Sequence, residues 1–97
     1  MAISFNRLVQ GDLRIVLEYY ERAGGRGLAD RFFEELTALI SSVEQRPTSF
    51  HPVAEGFRRA NFPSFPYHFL FRERGGLVRV LVLRHHQRKQ TFGTKRK

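Results

Sequence analysis

Apolar and polar residues alternate at the start of the chain: Ile3 and Phe5 flank Ser4, with Asn6 beyond. A period of two predicts a short strand. The period then lengthens, because Leu13, Val16, Leu17 and Tyr20 recur at i, i+3, i+4 and i+7, which places them on one stripe of a helix. Asp12 near its start suits the positive helix end, and Gly24-Gly25 stops it. A second helix follows over residues 28 to 43: Leu28, Phe32, Leu36, Leu39, Ile40 and Val43 form its apolar face and Asp30, Arg31, Glu34, Glu35 and Glu44 the others. Pro47 ends it. Two helices with so short a joint form an αα-hairpin whose apolar stripe needs a covering layer.

The second half supplies that layer. Phe57-Arg58-Arg59-Ala60-Asn61-Phe62 reads as a strand, and Pro63 and Pro66 punctuate the connection after it. Tyr67 to Phe71 and Leu77 to Leu83 are aromatic and β-branched runs joined through Gly75-Gly76, the pattern of a hairpin. The last run is apolar at nearly every position apart from Arg79, as in a strand covered on both faces, and its end is expected to open at Arg84 and His85. Tyr67 and Phe69, two apart in a half-buried strand, are expected in the core. The fold class predicted is α+β: an N-terminal strand and an αα-hairpin packed on a twisted, mainly antiparallel sheet of four or so strands, one domain over residues 1 to 97. Thr94-Lys95-Arg96-Lys97 reads as a loose basic tail.

Charge separates the halves. Residues 1 to 56 hold six Lys/Arg against eight Asp/Glu, whereas residues 57 to 97 hold eleven Lys/Arg against the single acid Glu73. The net charge of +8 therefore resides wholly in the second half and points to a polyanion or an acidic protein partner. No stretch approaches the roughly 18 uncharged apolar residues of a membrane helix, and the N-terminus lacks the regions of a signal peptide, so a soluble cytoplasmic protein without a membrane partner is expected. With no cysteine and four histidines lacking paired helical spacing, neither a metal nor another cofactor is expected.

Three groups carry candidate chemistry. Arg58 and Arg59 point to opposite faces of one strand, so only one of them addresses a given groove. Phe65-Pro66-Tyr67 enters a strand, where proline costs no ladder bond. Arg84-His85-His86-Gln87-Arg88-Lys89 follows the most apolar strand directly. Its guanidinium and imidazole groups suit a phosphodiester, and histidine is the side chain that exchanges protons near neutrality. The other reading of His85 is structural, a ring that bonds a backbone carbonyl and closes the strand end.

The order strand, two helices, antiparallel sheet resembles the RelE/ParE toxins of type II toxin–antitoxin systems. The matching residues are Asp12 with Tyr19-Tyr20, Phe32, Arg46-Pro47, Arg58-Arg59, Phe65-Pro66-Tyr67 and His85-x-x-Arg88, which cover nearly the whole chain. The resemblance implies a cognate antitoxin that wraps the toxin through an extended, partly helical segment in a hetero-oligomer. It implies one of two targets. RelE-like members cut messenger RNA on the ribosome using Arg, Lys, His or Glu with a C-terminal aromatic hydroxyl. ParE-like members block DNA gyrase without that set. Phe92 stands where RelE-like toxins often place Tyr. The expectation is a metal-independent endoribonuclease in which Arg59 and Arg88 hold phosphate and His85 transfers a proton, with Arg58, Arg84, His86, Lys89 and Phe92 contacting nucleic acid. Gyrase inhibition is the alternative, and a non-toxic basic binding module the third reading.

Overall fold

A computed structural model describes residues 2–97. The elements run β1 (Ala2–Phe5), α1 (Val9–Gly24), α2 (Arg26–Gln45), β2 (His51–Pro52), β3 (Arg58–Asn61), β4 (Tyr67–Arg74) and β5 (Leu77–His85), with single 3-10 turns at Pro47–Ser49 and Ala54–Gly56. Gly25, at φ 84°, is the entire joint between the helices, a conformation that glycine adopts without steric cost. Pro47 ends α2 as expected and opens the first 3-10 turn.

The five strands form one sheet in the order β1-β5-β4-β3-β2. The mainly antiparallel expectation holds for β2 to β5, but β1 pairs with β5 in parallel, Ile3 opposite Val78 and Phe5 opposite Val80. Five strands meet the expectation of four or so, and β2 is the one that left no strand pattern in the sequence, being only two residues long with one of them proline.

The helices cover one sheet face. Phe32 is fully buried there, stacked on Phe62 at 4.5 Å and edge-on to Phe65 and Tyr67, while Val16, Leu36, Val43, Phe69, Phe71, Val78, Val80 and Leu83 complete the cluster. Phe69 is core as expected; Tyr67 is half-buried at its edge. A second, smaller cluster of Phe57, Leu70, Leu81 and Val82 lies on the opposite face, with Val53 and Phe92 packed against it.

A bulge in β5 decides what its end presents. Leu70 pairs with Val82 and Phe71 with Val80, which leaves Leu81 as an extra residue. The insertion shifts the alternation by one position. Val78, Val80 and then Leu83 face the helices, whereas Leu81 and Val82 both feed the second cluster. In consequence Arg84, opposite His68, turns to the open face, and His85, opposite Tyr67, turns to the helix side. The bulge's backbone groups are satisfied by side chains: Leu83 N–H donates to Asp12 Oδ2 at 3.1 Å and Arg96 Nη1 donates to the Leu81 carbonyl at 3.1 Å.

The C-terminal tail is not loose, contrary to its polar composition. Arg96 forms a two-pronged pair with Asp12, at 2.6 and 3.2 Å, and the Lys97 carbonyl accepts from Asn6 Nδ2 and Arg79 Nη2. Gly93, at φ 80°, lies so close to Val82 that a Cβ would come within 2.5 Å of its side chain. Asp12 is thus more than a favourable charge in the first turn of α1: it fastens the tail and the bulge together.

Candidate functional site

Strands β3, β4 and β5 bring Arg59, His68, Arg84 and His86 together on the open face. Arg84 donates through Nε to His68 Nε2 at 2.9 Å; His68 Nδ1 meets His86 Nδ1 at 2.9 Å; and Arg59 Nη2 meets the same His86 nitrogen at 3.0 Å. Arginine has no acceptor, so the protons can be placed. His68 Nε2 accepts, and its proton sits on Nδ1. His86 Nδ1 accepts from both His68 and Arg59, and its own proton sits on Nε2. Each ring is neutral in this arrangement. Burial, followed by the charges of Arg59 and Arg84, holds His68 down at about 3. Partial burial and then Arg59 lower His86 as well.

Arg84 does not stand open at the strand end, as its position had suggested. It is 8% exposed, and Nη1 reaches the carbonyls of Lys89, Gln90 and Phe92 at 3.4, 2.7 and 2.9 Å. These bonds pull the segment after β5 back over the sheet, so that Phe92 covers the second cluster. Arg88 lies over the Phe92 ring at 4.0 Å and Arg96 at 5.3 Å, so the ring carries a cation from each side of the segment.

The expected constellation of Arg59, His85 and Arg88 falls into two groups. Arg59 lines an open depression of about 370 Å³ with Glu55, Phe57, Leu70, Arg84 and Gln90. His85 and Arg88 line another, of about 160 Å³, with Ile15, Tyr67, Leu83 and Phe92. Arg84 borders both. His85 Nδ1 accepts from the Gln87 N–H at 3.0 Å, so it closes the strand end on a backbone N–H rather than on a carbonyl, and its proton resides on Nε2. Lys89 is exposed. Arg58 is apart from all of these: it donates to the carbonyls of Thr48 and Phe50 at 3.4 and 2.8 Å and braces the loop after α2. Phe92 carries no hydroxyl.

Sequence reading missed His68 as part of the site. His68 sits in an aromatic strand and gave no local signal; its partners are 16 and 18 residues away. Among the described residues no group of three or more His, Cys, Asp or Glu is placed to hold a metal ion, and no helix is long and apolar enough to cross a membrane.

A five-stranded sheet backed by two helices, with a basic open face and a strapped C-terminal segment, makes a small α+β domain. The family described as ParE toxin of type II toxin-antitoxin system, parDE, matches residues 3–90, and the chain belongs to it, within the RelE/ParE superfamily. A solved structure titled "Chromosomal ParDE TA system from P. aeruginosa" shares the fold, with a TM-score of 0.77 and 17% identity over 88% of this chain and 95% of that one. No curated protein matches the chain.

Proposed function

We propose that this toxin, held inactive by a cognate antitoxin, arrests growth by binding DNA gyrase rather than by cutting RNA. The observation that carries this reading is the engagement of the candidate acid–base groups. His68 and His86 are bonded to each other and to two arginines, His85 Nδ1 is taken by Gln87, and Arg84 is taken by three carbonyls. The aromatic ring at position 92 lacks the hydroxyl that RelE-like nucleases use. What the segment from Arg84 to Lys97 does present is Arg88 stacked on the Phe92 ring with exposed Lys89 next to Arg88 in the chain, a surface suited to holding a protein partner. The antitoxin follows from family membership, and its approach would be steered by the basic second half.

Metal-independent cleavage of messenger RNA on the ribosome is the second reading. It draws on the Arg59–His86 contact, which sets a guanidinium beside an exposed imidazole. Expression of the toxin without its neighbour in cells separates the two. Gyrase binding leaves transcripts full length while plasmids extracted from the arrested cells become relaxed. Cut transcripts with normally supercoiled plasmids would overturn the proposal in favour of the nuclease.

A further inference from the structure

The open face carries a second group of cations, at the other end of the β4–β5 hairpin from the strand-end site. Arg72 and Arg79 are direct cross-strand partners, and Arg74 follows on the same face two residues along β4. Like charges directly opposite one another in a sheet are destabilising. No side-chain carboxylate offsets them: among the described residues the one ion pair is Arg96 with Asp12, and the intervening Glu73 turns to the hairpin turn, near Gly76 N–H. Arg72 is held in place over the Phe57 ring at 4.5 Å, yet its buried Nε has no hydrogen-bond partner. Arg79 donates only to the Lys97 carbonyl, which brings a further cationic side chain to the same edge. A face shaped by folding alone would place opposite charges across this register. Three guanidinium groups without a carboxylate partner, two of them about 7 Å apart along β4 and the third across from Arg72 on β5, are instead arranged for a ligand with repeated anionic oxygens.

We propose that Arg72, Arg74 and Arg79 form a binding surface for the phosphodiester backbone of duplex DNA. The choice of a polyanion over an acidic protein segment comes from the distribution of apolar surface. The exposed large apolar side chains Ile15, Tyr19 and Phe33 lie on the helices, and at the cation row only Leu77, at the hairpin tip, is of that kind. A protein segment needs apolar anchors for its affinity, whereas backbone binding to nucleic acid rests on charge alone. The choice of DNA over RNA rests on the gyrase reading: a toxin seated on a DNA-bound enzyme has duplex beside it, and this surface would let it grip both.

The test uses the full chain and a short fluorescein-labelled DNA duplex, titrated by anisotropy without gyrase between about 50 and 200 mM salt. Wild type is expected to bind with a log–log salt slope of about −2.7, the value for three phosphates. Arg72→Gln with Arg79→Gln is expected to bind at least about tenfold more weakly and with a shallower slope, while a circular dichroism spectrum like that of wild type shows that the fold is kept. Lack of duplex binding by wild type, or unchanged binding by the double variant, overturns the proposal. Tighter capture of an RNA strand or of a polyglutamate peptide by the same residues overturns it in favour of those ligands. A supercoiling assay keeps the two readings apart: gyrase inhibited by a toxin that does not bind duplex refutes this surface alone, and duplex bound by a toxin that leaves gyrase active refutes the gyrase reading alone.

Discussion

Arg84 donates to Nε2 of His68 at 2.9 Å inside the open face, and this contact fixes the protonation of the chain that continues through His86 to Arg59. Because the acceptor nitrogen of His68 must stay unprotonated, the network is stable only while both rings are neutral.

A pH dependence follows. An unfolded histidine titrates near 6.5, whereas folded His68 is held at about 3, so between these values the unfolded chain binds the additional proton. Stability is full above about pH 6.5 and falls as the pH is lowered toward about 3, with a limiting slope of about 1.4 kcal/mol per pH unit for one proton. His86 is shifted in the same direction and adds to the loss. Urea unfolding of wild type and His68→Gln from about pH 7 to 4 isolates the contribution: the gap between the two narrows on acidification. A constant gap would refute the neutral assignment.

Asp12 joins parts of the fold that are far apart in sequence, accepting from Arg96 and from the Leu83 N–H. Asp12→Ala leaves a partly buried guanidinium without its anion, and a loss of about 3 kcal/mol is expected. Hydrogen exchange is expected to rise across residues 91 to 97 before it rises in α2. Uniform exchange in both regions would show that the tail does not depend on this pair.

Gly93 has no tolerance for a side chain, since its φ is +80° and an added Cβ would lie 2.5 Å from Val82. Gly93→Ala is expected to destabilise by about 2 to 4 kcal/mol, through backbone strain together with overpacking. By contrast Gly27→Ala, in α2 with open space around it, is expected to stabilise slightly. Thermal melts of the two variants check the contrast, and equal melting temperatures would contradict the packing described.

Much of the fold was legible in the sequence. The helical stripe ending at Val43 carries a strong period, the runs at Tyr67 and Leu77 are aromatic and β-branched with glycines between them, and their partners are forced by short connections. The parallel pairing of β1 was not legible, because four residues of alternation do not specify a neighbour 75 positions away, as Ala2 and Leu77 are. The β5 bulge was hidden too: Val80, Leu81, Val82 and Leu83 are all apolar, so the shift in facing leaves no mark. That shift separated His85 from Arg59, which the sequence reading had joined. The basic tail gave the opposite lesson, since composition favours looseness and only Asp12, more than 80 residues earlier, reveals its anchor.

The surface around Phe92 should matter more than any single imidazole. Phe92→Ala removes the ring between Arg88 and Arg96 and uncovers the second cluster. Gyrase inhibition is expected to weaken at least about tenfold, equivalent to about 1.4 kcal/mol. His85→Ala, whose ring caps a strand end, is expected to stay within about threefold of wild type, under 1 kcal/mol. The reverse ranking in a supercoiling titration would point to proton transfer by His85.

Supercoiling by purified gyrase in the presence of increasing toxin, with translating ribosomes and their transcripts assayed in parallel, tests the central claim most directly. Inhibited supercoiling with intact transcripts is the expected result, and uninhibited supercoiling with transcripts cleaved on the ribosome would contradict it.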